Sequence, residues 1–188
     1  MSENSKKKQP DDSTVETVLP VSPLEPNSPV PVSLSQQRFW MLYLLEGDKA
    51  TYHCTKGISL TGNLDKKTLA IALKNISLKH SALRCCIKEI LNNPYQNIFE
   101  DFTNFLPLSG LTKPVALKNT TDITTYIKKQ HEEPFTLTTP PLWRISLITQ
   151  SPNNHLLIIT THRIIADEIS TNLILSDLGD EYTALKNN

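Results

Sequence analysis

Apolar and polar positions follow two rhythms along this chain, and together they predict an alternation of helices and strands. Ser33 followed by Gln36 has the form of a capping box, and Phe39, Leu42 and Tyr43 then recur at helical spacing until Gly47. Tyr52 to Leu60 reads as a strand that closes at Thr61-Gly62-Asn63. Asp65 is the cap of a second helix. Leu64 and Leu69 match a hydrophobic staple, and Leu69, Leu73 and Ile76 form its buried stripe. Ala82 to Ile87 is a strand, Asn92-Asn93-Pro94 a turn, and Tyr95 to Phe99 the returning strand. Residues 101–121 read as irregular or weakly extended. Asp122 then caps a helix carrying Ile123, Tyr126 and Ile127, which stops before Pro134. Leu142 to Thr149 alternates, with Trp143, Ile145 and Leu147 on one face. Ser151 to Asn154 turns into the apolar run Leu156 to His162. Asp167 caps a last helix with Ile169, Leu173 and Leu178 at core spacing. The pattern predicts an α/β two-layer sandwich: a mixed sheet packed by helices.

Residues 1–30 break this pattern. They are polar, contain Lys6-Lys7-Lys8, and carry Pro20, Pro23, Pro26 and Pro29. Such a stretch buries too little apolar surface to offset its ordering entropy, and it reads as a disordered tail before a domain over residues 31–188.

Composition narrows the function. The 19 basic and 19 acidic residues balance, so nothing favours nucleic acid or an anionic membrane. Cys54, Cys85 and Cys86 have no metal spacing and read as reduced thiols of a cytoplasmic protein. No apolar core follows the N-terminal lysines, as a secretory signal would need, and no run is long enough to span a bilayer. Ser33 and Ser35 lie outside any GxSxG context. The chain has 5 glycines and no phosphate loop. His53, His80, His131 and His155 are scattered without metal-ligand spacing, and no cofactor is indicated.

The end of the last strand is the chemical focus: Thr160-Thr161-His162-Arg163-Ile164-Ile165-Ala166-Asp167-Glu168. Side chains alternate along a strand, so His162 and Arg163 are expected in different environments, one toward the core and one toward a cleft. For His162 the readings are a hydrogen-bonded core histidine or a catalytic one. For Asp167 the reading from the residues is a helix N-cap. For Arg163 the readings are a solvated charge at a strand end or a stabiliser of a developing oxyanion.

Four segments together resemble the condensation domain of nonribosomal peptide synthetases. The first is Pro31 to Leu42, close to the family's opening helix. The second is Lys79-His80-Ser81-Ala82-Leu83-Arg84, close to "RHEALR". The third is Pro134-Phe135-Thr136-Leu137 with Pro141-Leu142-Trp143-Arg144, close to "PFDL…PLLR". The fourth is His162 to Glu168, aligned with "HHxxxDG". The resemblance implies a chloramphenicol-acetyltransferase-like lobe, the N-terminal one of two, with no counterpart here of the second lobe or its "DFGW" motif. It implies that substrates arrive on the phosphopantetheine of carrier proteins. The partners it implies are a carrier protein and a complementary C-terminal lobe.

The resemblance also assigns roles. The family joins an aminoacyl amine to an upstream thioester, and the second His of its motif serves as base or positions the amine. Here that residue is Arg163, whose guanidinium stays protonated and has no acceptor. Glu168 stands where the family has Gly. Asp167 corresponds to a scaffold Asp, and the family pattern pairs it with Arg84. Three functions compete on this reading: a non-catalytic, degenerate lobe, one half of a split acyltransferase, and a stand-alone trimeric acetyltransferase. The last is disfavoured by the absence of a "DFGW"-like segment.

Overall fold

The protein is described by a computed structural model, which covers residues 29–112, 115–117 and 119–187. The expected disorder of residues 1–30 concerns mainly residues outside that range. Two sheets organise the rest. The smaller is antiparallel, in the order β1 (Val30–Pro31), β4 (Asn93–Ile98), β3 (Cys85–Ile90). The larger runs β2 (His53–Thr61), β7 (Asn154–His162), β6 (Trp143–Ser151), β5 (Val115–Ala116). It is mixed, because β5 lies parallel to β6 while the other pairs are antiparallel.

Strand alternation in the larger sheet builds two cores. Trp143, Ile145 and Leu147 of β6 with Leu157 and Ile159 of β7 face helices α2 (Lys66–Lys79) and α5 (Glu168–Asn187). The opposite face, Ile148 and Ile158, is covered by α4 (Thr120–Glu132) through Ile123. A third cluster sets α1 (Leu34–Glu46) against the smaller sheet, with Trp40 packed among Cys86, Ile87, Phe135, Leu137, Leu142 and Ile164. Cys85 and Cys86 are both buried, and burial pushes the Cys85 thiol up to about 12, so neither is a ready nucleophile.

Local chemistry sets the element boundaries. The Ser33–Gln36 capping box forms: Gln36 N donates to Ser33 Oγ at 3.2 Å and Ser33 N donates to Gln36 Oε1 at 2.9 Å. Asp65 caps α2 through the amides of Lys67 and Thr68. The short helix α3 (Ser109–Thr112) lies so close to β6 that a Cβ on Gly110 would sit 1.9 Å from the Ile145 carbonyl, a site only glycine can fill.

Three expectations need correction. Residues 81–84 form a 3₁₀ turn and not the start of β3, because the Leu83 amide folds back onto the His80 carbonyl at 3.0 Å. Helix α4 is capped by Asn119 and not by Asp122, whose amide donates to Asn119 Oδ1 at 2.7 Å. In α5 the buried stripe is Thr171, Ile174, Leu175 and Leu178, while Ile169 and Leu173 are exposed. The Asp167 cap fixes where that helix begins, and the Thr171 hydroxyl, 3.2 Å from that of Thr161, sets its rotation.

Candidate functional site

β7 ends at His162, and the register of β2 against β7 places His53 directly opposite it. Asp48, in the loop that follows α1, lies between the two rings. Its Oδ2 is 2.7 Å from His53 Nε2 and accepts the Phe135 amide at 2.5 Å. Its Oδ1 is 3.2 Å from His162 Nε2, a polar contact without the alignment of a strong hydrogen bond. All three side chains are shut off from solvent, Asp48 being 2% exposed.

The partners dictate the protonation. His162 Nδ1 accepts the Ile164 amide at 3.0 Å and so carries no proton; the neutral ring has its hydrogen on Nε2, toward Asp48. Burial holds the His162 pKa below its ordinary value, against the pull of the Asp48 carboxylate. His53 has an oxygen opposite each ring nitrogen, Asp48 Oδ2 at Nε2 and the His131 carbonyl at 2.6 Å from Nδ1. Burial alone would raise the Asp48 pKa. Its contacts with His162, His53 and the Phe135 amide outweigh burial and hold it well below the carboxylate range.

Phe39, Tyr52 and Phe135 surround the His162 ring, with centroids 6.0, 6.3 and 6.2 Å away. Asp48, His53 and His162 offer atoms close enough to hold a metal ion. The donor set does not fit one: His162 Nδ1 is spent on an amide donor, so Nε2 bears the proton and has no lone pair for a metal.

Arg163 has the opposite surroundings. Its amide donates to the Tyr52 carbonyl at 2.7 Å, which pins the backbone, but the residue is exposed. Asp167 is also exposed. Its Oδ1 accepts the Ser170 amide at 2.7 Å, which caps α5, and hydrogen bonding from the Ser170 side chain and backbone lowers its pKa. Glu168 pairs with Lys56 of β2, and that contact lowers the carboxyl pKa.

The expected Arg84–Asp167 ion pair is not formed. The Arg84 guanidinium donates to three carbonyls, Ser77 at 2.9 Å, Leu78 at 3.4 Å and Phe99. Together they tie the end of α2 to the end of β4, so Arg84 serves the scaffold through the backbone. Of the three candidate site residues of the motif, the structure buries His162 and leaves Arg163 and Asp167 at the surface. Asp48 and the partnership of His53 were missed. They are distant in sequence from the motif, and only the β2–β7 register brings them to it.

The condensation-domain family profile matches residues 27–188. The chain belongs to the condensation-domain family. Among its relatives, CymA of Salinispora arenicola, described as a probable non-canonical nonribosomal peptide synthetase, is 31% identical over 155 residues, covering 82% of this chain and 2% of the relative. Tyrocidine synthase 2 of Brevibacillus parabrevis is 32% identical over 164 residues, covering 87% and 4%. The condensation-domain chain thus spans a few per cent of those synthetases. A solved structure of the X-domain with OxyB from teicoplanin biosynthesis is similar with a TM-score of 0.74 and 26% identity, covering 90% of this chain and 35% of that one. The first condensation domain of the calcium-dependent antibiotic synthetase, at 20% identity and a TM-score of 0.76, shares the fold over 85% of this chain and 38% of its own.

Proposed function

We propose that these residues form a non-catalytic N-terminal lobe of condensation type, acting in nonribosomal peptide biosynthesis by holding partners and not by forming amide bonds. The observation that carries this is the state of the motif. A general base needs an unspent acceptor within reach of the substrate. His162 has both ring nitrogens turned to internal partners, and Arg163 has no acceptor at all. Glu168, where the family has glycine, adds a carboxylate already paired with Lys56. The similarity to an X-domain solved in complex with OxyB supports a binding role, since that neighbour is seen engaging another protein. The partner class is a carrier protein or a complementary lobe.

A second reading is one half of a split acyltransferase completed by another chain. The exposed apolar residues of α1, among them Leu34, Met41, Leu44 and Leu45, favour a covering partner. The experiment that separates the two supplies carrier proteins loaded with aminoacyl and peptidyl thioesters, together with a condensation-domain C-terminal lobe. The chain as it stands is expected to give no amide product, and Arg163→His to give some. Equal product from both would contradict the non-catalytic reading.

A further inference from the structure

Strand alternation puts Arg144, Ser146 and Ile148 of β6 on the face that α4 covers. Ile148 packs on Ile123 there, while beside Arg144 and Ser146 a cavity of about 550 Å³ opens. All of its walls come from residues 107–146, and Asp48, His53 and His162 take no part in them. Pro107, Pro134, Phe135, Pro141 and Trp143 supply apolar surface, and Tyr126, Gln130 and Glu133 a polar wall. The polar groups left without partners are donors. The Tyr126 hydroxyl donates to Ser146 Oγ at 3.2 Å, and Ser146 Oγ donates to Gln130 Oε1 at 3.1 Å. That relay satisfies the Gln130 oxygen and leaves its amide nitrogen with no acceptor among the described residues. Arg144 Cζ stands 3.8 Å from the centre of the Phe135 ring. Its Nη2 donates to the Glu133 carbonyl, its Nη1 is 3.4 Å from the Glu133 carboxylate, and its buried Nε has no acceptor among the described residues. A guanidinium has five hydrogens to place, so this one is short of acceptors. The Glu133 side chain that faces it is 56% exposed and held only by that long contact.

We propose that this cavity binds a small organic monocarboxylate, its carboxylate on Arg144 and the Gln130 amide nitrogen, its apolar body against the prolines and Trp143. The volume lies in the range of small-ligand sites, about 300–1,000 Å³. Unspent donors call for a group that only accepts, and a planar carboxylate matches the guanidinium fork. One cation balances one negative charge, which favours a carboxylate over a phosphate dianion, whose second charge would enter the cavity uncompensated. The Glu133 carboxylate already stands beside Nη1, so the position admits a carboxylate. Being exposed, Glu133 can turn into water at little cost when the ligand enters. Phe135 fixes the other side of the guanidinium, and its own amide is tied to Asp48, so the charge is presented from a rigid part of the scaffold. The site uses none of the groups on which the non-catalytic reading rests.

The test is isothermal titration calorimetry of the full chain with phenylacetate, compared with phenylacetamide and phenyl phosphate. Phenylacetate is expected to bind saturably in the millimolar range or tighter, and the amide and the phosphate about tenfold more weakly or not at all. Arg144→Gln should weaken phenylacetate binding by about tenfold or more. Glu133→Gln should strengthen it by about threefold, because it removes the carboxylate that competes for the guanidinium and keeps the backbone contact. A gain of this kind cannot come from a damaged fold. Absence of saturable phenylacetate binding overturns the proposal. So does equal binding of phenylacetamide or phenyl phosphate, or a Glu133→Gln chain that binds no tighter than the wild type.

Discussion

The two halves of the segment from His162 to Glu168 are held by different means. His162 is enclosed by Asp48, His53 and three aromatic rings, and its partners come from the α1–β2 loop, β2 and the segment before β6. Arg163, Asp167 and Glu168 stand in water and are positioned by backbone bonds, a helix cap and one exposed ion pair. A motif read as one functional unit is therefore a buried anchor joined to a solvated turn. Energy is concentrated in the anchor, where a buried charge cannot lose its partner without a large cost. The turn is free to vary, and it is there that the sequence departs from the family pattern.

Substitutions can break this contrast. Asp48→Ala should have the largest effect, a loss of about 3 kcal/mol in urea unfolding, because it strips the buried His53 ring and the Phe135 amide of their shared acceptor. A loss below about 1 kcal/mol would mean the cluster is no anchor. Asp167→Ala should cost about 1 kcal/mol as a lost N-cap. Combined with Arg84→Ala it should be additive within about 0.5 kcal/mol, since the two side chains share no contact. A coupling well above that would restore the ion pair expected from the sequence. Arg163→Ala should change stability by no more than about 0.5 kcal/mol, the range of exposed positions.

Much of the scaffold was legible because its signals are local. The Ser33–Gln36 box, the Asp65 cap with its Leu69 stripe, and the alternation of Trp143, Ile145 and Leu147 all act within a few residues. The errors arose where long-range contacts decide. Ile169 and Leu173 have helical spacing, but the Thr161–Thr171 contact turns α5 so that Ile174 and Leu178 face the core. Arg84 carries a charge that suggests an acidic partner, yet three carbonyls take its hydrogens. The site was half legible. Strand alternation separated His162 from Arg163, whereas Asp48 has no pattern of its own and gains its role from the pairing of β2 with β7.

The central claim is that His162 is a neutral ring with both nitrogens engaged, and a long-range proton–nitrogen NMR spectrum of the imidazoles tests it most directly. A depressed folded pKa makes the contribution of the neutral ring complete above the unfolded value of about 6.5, and it is lost as pH falls through the lower folded value. The account predicts that at neutral pH His162 carries its proton on Nε2 with Nδ1 bare, and that this pattern persists when the pH is lowered past the ordinary histidine range. A His162 ring protonated on Nδ1, or one that titrates like a free imidazole, would contradict it.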